Sequence, residues 1–254
     1  MRESVGRLGN KYALVHVNIT MKRVLLILFC LAALLPLQAQ EPRIQHRPYL
    51  DQRFLHYGFF VGVNMMDIEF QNNGFVDPAS GERWYTDLDN YQPGFLVGVL
   101  AELRLNKTLG LRVQPAIHFG QKHVWFHEQN SGRDSTQNLK STYISVPVDL
   151  KIAAPRYNNF RPYFVAGLAP TFDLTARKQG AILTERFDCF IEFGAGCDIY
   201  LPYFKLIPEL RFCFGLRDII VHDRTDLQNE ALKKFTNAID KGRSKMITLT
   251  FYFE

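Results

Sequence analysis

Charged side chains recur on one parity in several stretches of the chain, in three of them as an acid and a base two residues apart. They are Glu102 and Arg104, then Arg112, Asp149 and Lys151, Glu192 and Asp198, and Glu209 and Arg211, with Asp188 before and Arg217 after the last two pairs. Groups set this way on one face can line a channel, pass protons, or neutralise one another in a dry interior, where an isolated ion is costly and each needs a partner. Other chemistry is thinner. His118, His123 and His127 suggest a metal. On an extended strand only His123 and His127 share a face, and four residues separate them by about 13 Å, too far for one ion. There is no Gly-x-Ser-x-Gly, no Cys–His pairing and no phosphate loop. The reading is therefore of no catalytic residue, no cofactor and no metal. A lipid-modifying activity would have to rest on loop residues such as His127, Glu128 or His222.

The elements that must hold these charges are clearest from Gly94 to Gly120. Every second residue is apolar: Phe95, Val97, Val99, Ala101, Leu103 and Leu105, then Leu109, Leu111, Val113, Pro115, Ile117 and Phe119. The intervening face carries Leu96, Gly98, Leu100, Glu102, Arg104 and Asn106, then Gly110, Arg112, Gln114, Ala116, His118 and Gly120. Period two over this length predicts two strands of about a dozen residues, long enough when tilted to cross a bilayer. A turn at Asn106–Thr108, centred on Lys107, sets Glu102 across from Arg112. A polar face of glycines and isolated charges suits a crowded interior better than a solvated surface, so the apolar face is expected to meet lipid.

The same alternation predicts further strands at Tyr57–Phe70, Thr142–Ala153, Pro162–Leu174, Phe187–Leu201, Leu206–Val221 and Lys245–Glu254. With the hairpin these make eight, an all-β, antiparallel, up-and-down transmembrane β-barrel. Long connections (71–93, 127–140, 175–186, 222–243) alternate with short ones (106–108, 154–161, 202–205). Outer-membrane barrels show this rhythm, with long outer loops, short periplasmic turns and both termini in the periplasm. An interior of this size is just filled by side chains, which favours a paired charge core over a pore. Pro115, Pro147, Pro170 and Pro208 fall inside predicted strands, and because a closed barrel has no free edge, bulges are expected there.

The net charge of +5 arises mostly from residues 1–39, which hold five basic residues against one acid. The remainder is close to neutral, which removes the electrostatic case for nucleic acid. Met21 opens MKRVLLILFCLAALLPLQAQ, a basic start and apolar run with Ala39 as cleavage residue: residues 21–39 read as a signal peptide, 1–20 as an extension from a start codon called too early, and 40–254 as the barrel with a lead-in at 40–55. No other apolar run is long enough for a membrane helix. Cys189 and Cys197 share one face of a strand and Cys213 lies on the opposite face of the next, so they read as packing residues rather than a disulfide framework.

Three stretches carry a family resemblance: RPYLDQRFLHYGFFVGVN (Arg47–Asn64), TYISVPVDLKIAAPRYNNFRPYFVAGL (Thr142–Leu168) and LIPELRF (Leu206–Phe212). Across the mature chain the sequence resembles the PorT family of outer-membrane barrel proteins. The resemblance implies an eight-stranded barrel in the outer membrane of a Gram-negative bacterium, needed by the type IX secretion and gliding apparatus. Its partners would be membrane lipid and other secretion-apparatus proteins, and it offers no catalytic residue to carry over. Asp87 and Asp89, with His222-Asp223, are similar to the paired acids and His-Asp of outer-membrane omptin proteases, but those have larger barrels and a defined cleft, and loop aspartates commonly form turns. A small porin-like or ligand-binding barrel is the alternative.

The last loop has a helical signal. Thr225 can cap, Gln228 stands three residues on, Leu227, Ala231, Leu232, Phe235 and Ile239 recur at helical spacing, and Gly242 can end the helix. Leu227, Phe235 and Ile239 would then either face a partner or lid the barrel mouth.

Overall fold

The computed structural model describes residues 46–76, 81–90, 92–129, 132–176, 182–222 and 233–254. The extension, the signal segment and the first residues of the lead-in lie outside this set, as do Asp223 and the stretch Thr225–Leu232 that carries the proposed helix cap and Leu227. A 3-10 turn (Leu50–Gln52) leads into β1 (Leu55–Asn72). There follow β2 (Trp84–Asn90), β3 (Pro93–Arg104), β4 (Leu109–Val113), β5 (Ala116–Glu128), β6 (Asp134–Ser145), β7 (Val148–Ala153) and β8 (Phe160–Asp173). The chain ends with β9 (Phe187–Tyr200), β10 (Lys205–Gly215), a short helix α1 (Lys233–Asn237) and β11 (Ile239–Phe253).

Register reduces these eleven strands to a closed ring of eight, with β2 continuing the wall of β3 along the upper part of β5. β3 pairs Glu102 with Arg112 of β4 and Gly98 with Ala116 of β5, which is one continuous register about Lys107, so β4 and β5 are one strand of the wall. β6 and β7 are one strand for the same reason, since Ser145↔Thr171 and Val148↔Leu168 on β8 continue a single register. β1 pairs with β3 on one side and β11 on the other, and β8 with β9 closes the circle. All pairings are antiparallel. A closed ring leaves no edge, which satisfies the backbone where no water is available.

Burial is inverted relative to a soluble barrel. The outward positions Phe95, Val97 and Val99 on β3, Phe164 and Leu168 on β8, and Leu249 and Phe251 on β11 are exposed, while the alternate positions, charged ones included, are buried. Exposed aromatic residues collect at the short-turn end: Tyr49, Phe54, Tyr57, Phe160 and Tyr203. That is the arrangement of an interfacial girdle. Inside, glycine makes room where rings are large. A Cβ on Gly98 would collide with the Phe60 ring and the Pro115 carbonyl oxygen. Gly98→Val is therefore expected to cost about 1–3 kcal/mol by overpacking, read as a lower urea midpoint of the refolded barrel; an unchanged midpoint would indicate a lumen with spare room.

Several expectations are corrected. The prolines do not make bulges. Pro115, Pro147 and Pro170 each accept a backbone hydrogen bond through their own carbonyl oxygens, from Val99, Gln114 and Val146 N–H groups at 3.1 Å, and the register runs on through all three. Pro208 likewise stays in register with Phe251. Each X-Pro step thus forfeits one ladder bond instead of inserting a residue. Among the described strand pairs, irregularities fall at Gln71/Asn72 and Leu88/Asn90, at the long-loop end.

The expected loops at 71–93 and 127–140 are partly strand. β2 pairs with the top of β5, and Asp134–Lys140 extend β6 against His127–Gln121. Their polar side chains read as loop, but beyond the lipid both faces of a wall can be polar, and the inward positions Val124, Phe126 and Leu139 still reach an apolar cluster. The last strand begins at Ile239, six residues before the predicted Lys245, and β10 stops at Gly215 instead of Val221. Gly242 lies within β11 opposite Phe70 and does not end a helix. Pairing with β1 outcompetes the helical pattern there.

Candidate functional site

The interior charges form one network through the middle of the barrel. Arg112 Nε donates to Glu102 at 2.7 Å and its Nη1 to Glu209 at 2.8 Å, with the guanidinium over the Tyr163 ring at 4.6 Å. Lys151 Nζ bridges Asp198 at 2.9 Å and Glu102 at 3.3 Å. Arg211 reaches Glu192 at 2.6 Å, Asp149 at 3.1 Å and Glu209 at 2.5 Å. Neutral groups complete the connections. Gln114 donates to Asp149 at 3.0 Å and accepts from the Tyr252 hydroxyl at 2.8 Å, and the Tyr163 hydroxyl donates to Glu209 at 2.5 Å. Arg112 and Asp149 are wholly buried, and Glu209 nearly so.

The strand parity of the sequence puts these residues inward, and neighbouring strands bring Glu102 opposite Arg112 and Arg112 opposite Asp149. Beyond the Glu102–Arg112 pair that the hairpin sets opposite, Asp198 meets Lys151 and Glu209 meets Arg112, contacts between strands that are not neighbours in the wall. Arg104 is displaced from the network. It lies at the short-turn rim, half-exposed, donating to the Asp51 carbonyl oxygen and to that of Asn106 at 3.3 Å. Arg217 is outside, past the end of β10, over the Phe187 ring at 5.7 Å. Asp188 is inward and buried near the long-loop end.

Lys205 is the member that turn signals conceal. It opens β10, is buried, and forms an ion pair with Glu254, whose other oxygen is bonded to His56. Glu254 stands one residue past β11. Burial alone would raise its pKa, but the His56 hydrogen bond and the Lys205 charge hold it down at about 2, so it is ionised at neutral pH. Tyr163, Gln114 and Tyr252 share the inward parity, and that parity was the available signal for them.

Both ends of the lumen are covered. At the short-turn end the lead-in folds under the mouth. Asp51 accepts from the Tyr200 hydroxyl at 2.5 Å and faces Arg156 at 3.4 Å and Arg161 at 3.5 Å, while Arg156 stacks on Tyr200 at 3.5 Å. At the long-loop end, Phe235 of α1 packs on Trp84 at 4.9 Å and on Phe126 at 4.6 Å, within a cluster that includes Ile68, Ile220 and Ile239. Phe235 and Ile239 are 7% and 1% exposed. Both are packed into this cluster at the mouth, and Leu227 lies outside the described residues. Cavities that touch the network measure about 20 Å³ each, room for a water molecule or so.

The other candidates are dispersed. His123 and His127 lie on the outward face of β5, with His127 paired to Asp134 at 2.7 Å, and no metal-binding group of side chains occurs among the described residues. Asp87 is on β2, and His222 lies 3.7 Å from Asp218.

Residues 38–221 match the family described as outer membrane protein beta-barrel domain. Among solved structures, the outer membrane protein OprG from Pseudomonas aeruginosa is similar at 14% identity, with 78% of this chain and 90% of that chain covered and a TM-score of 0.39. Neisserial surface protein A is similar at 11% identity, covering 79% of this chain and 98% of that one, with a TM-score of 0.39. AlkL, solved in lipid bilayers, is similar at 13% identity over 83% and 96%, with a TM-score of 0.37. Among curated proteins none matches.

Proposed function

The chain belongs to the outer membrane protein beta-barrel domain family, and from that premise we propose that it is a non-conducting, non-enzymatic component that supports type IX protein secretion. It is an outer-membrane β-barrel protein in contact with membrane lipid. The proposal adds that both termini and the short turns face the periplasm, that residues 21–39 direct export, and that its partners are other secretion-apparatus proteins.

The observation that carries this reading is the filled interior. An ion network with Arg112 and Lys151 at its centre occupies the space a solute would need, and the lead-in and the Phe235 cluster cover the two ends. A barrel built in this way has its surfaces, not its bore, available for work. The resemblance of Arg47–Asn64 and Thr142–Leu168 to the PorT family supports secretion as that work.

The test is a deletion strain scored for secreted cargo, with affinity isolation of the detergent-solubilised protein alongside. The expected result is cargo retained in the periplasm, restored by the intact gene, and co-isolation of secretion-apparatus proteins. Normal secretion together with solute-dependent conductance in planar bilayers would favour the small porin-like alternative instead.

A further inference from the structure

The short-turn end of the barrel holds more positive charge than its carboxylates balance. Among the described residues Arg53, Arg104, Lys107, Arg156 and Arg161 gather there around one acid, Asp51. Asp51 faces Arg156 at 3.4 Å and Arg161 at 3.5 Å. The guanidiniums otherwise donate to backbone oxygens: Arg104 to those of Asp51 and Asn106, Arg156 to those of Arg47 and Asn158, and Arg161 to those of Ala154 and Lys107. Carbonyl oxygens satisfy the donors and leave the charge uncancelled. Arg53 and Lys107 are exposed, and no carboxylate among the described residues pairs with either. The other charges at this end are engaged. Glu254 is held by Lys205 and His56, and Arg47 donates to the Glu254 main-chain oxygen at 3.3 Å. Glu102 and Asp198, deeper in, are paired with Arg112 and Lys151.

These cations lie across the mouth of the barrel and not around its perimeter. Arg104 and Arg161 stand two residues from the buried Glu102 and Tyr163, on the inward parity of β3 and β8, and border the small cavity at the lumen's end together with Asp51. Arg156 is bonded to the lead-in that runs beneath that mouth. Lipid headgroups ring the outside of the wall, so a cation over the mouth faces water and whatever solute approaches it. Guanidinium forks match carboxylates in geometry as well as in charge, and a surplus of one sign steers a partner of the other.

We propose that the short-turn mouth is a docking surface for an acidic segment of a periplasmic protein. Its carboxylates would be taken by Arg53 and Lys107 at the exposed rim and by Arg104 and Arg161 beside Asp51. The proposal rests on the reading that the short turns face the periplasm. Cations that served only to anchor the rim would favour anionic lipid headgroups instead.

The experiment uses the full mature barrel in phosphatidylcholine nanodiscs, which carry no net charge, and reads the fluorescence anisotropy of a labelled polyglutamate peptide. The expected result is saturable binding that weakens as salt is raised, with no binding of polyglutamine. Arg53→Ser with Lys107→Ser, which removes no described side-chain contact, should lower the affinity about fivefold. Arg53→Lys with Lys107→Arg should keep it. Lys241→Ser with Arg243→Ser, an equal loss of charge at the opposite end, should leave it unchanged. Heat-modifiable mobility verifies that each variant is folded. Absence of binding by the wild type, or equal weakening by the two double-serine variants, overturns the docking surface. So does retention of phosphatidylglycerol above phosphatidylcholine that Arg53→Ser with Lys107→Ser abolishes, because the patch would then serve lipid. Orientation is tested separately with Lys107→Cys in intact cells, measured against the wild type's own cysteines. Labelling by an impermeant maleimide would place the short turns outside and overturn a periplasmic partner, even with the nanodisc binding intact.

Discussion

Arg112→Leu is expected to destabilise the barrel by about 3–5 kcal/mol, because it leaves Glu102 and Glu209 buried without the guanidinium that bridges them. Lys151 still faces Glu102 and Arg211 still faces Glu209, which places the expected cost toward the lower end of that range. Removing an acid along with the base should recover part of it: Arg112→Leu with Glu209→Leu exchanges a buried acid that has lost one of its two cations for apolar packing, and buried ion pairs are often replaceable in that way. The measurement is a urea titration of the refolded protein followed by heat-modifiable mobility. A single substitution with no effect would mean that Arg112 is solvated in an open lumen and that the network is not a core.

Val97→Arg addresses the opposite face. Val97 points outward from the middle of β3, between Val61 on β1 and Ile117 on β5. In lipid an arginine near the bilayer midplane costs about 2–4 kcal/mol, whereas on the surface of a soluble barrel it would be within about 0.5 kcal/mol of neutral. Thr136→Arg, outward on β6 but above the apolar band, is the internal comparison and should be tolerated. Both variants would be unfolded from liposomes with guanidinium chloride. Equal stability of the two would contradict lipid around Val97.

Which parts of this structure could be read from the sequence follows from what is local. The pair Glu102 and Arg112 needs only period two and a turn centred on Lys107, both visible in the hairpin, and the turn closes as expected with Leu105 and Asn106 N–H groups donating to the Leu109 carbonyl oxygen at 3.0 Å. The contacts of Lys151 with Asp198 and of Arg112 with Glu209 need the ring to close, because those residues come from walls that are not neighbours. Parity places each inward but cannot say which meets which. Asp51 was unreadable for a different reason: a polar, proline-containing lead-in gives no hint that its carboxylate will sit between Tyr200, Arg156 and Arg161.

The upper wall shows the limit of hydropathy. Asp134–Lys140 has the composition of a loop, yet it pairs residue for residue with β5, whose inward Val124 and Phe126 supply most of the apolar contacts, with Leu139 the one contribution from this stretch of β6. Ile239 satisfied a helical spacing and equally a strand register with β1, and the sequence alone does not weigh the partner strand's contribution.

Spin labels on β3 are the sharpest probe of a closed barrel with lipid outside and a sealed charge core inside. Single cysteines at Val97 and Val99, outward, and at Leu96 and Leu100, inward and 3% and 2% exposed, would be labelled in liposome-folded protein and probed with oxygen and a water-soluble nickel chelate. Oxygen should reach Val97 and Val99 without the chelate, and both reagents should be excluded at Leu96 and Leu100. Chelate reaching Leu96 or Leu100 would contradict the sealed interior, and chelate reaching Val97 or Val99 would contradict the membrane barrel itself.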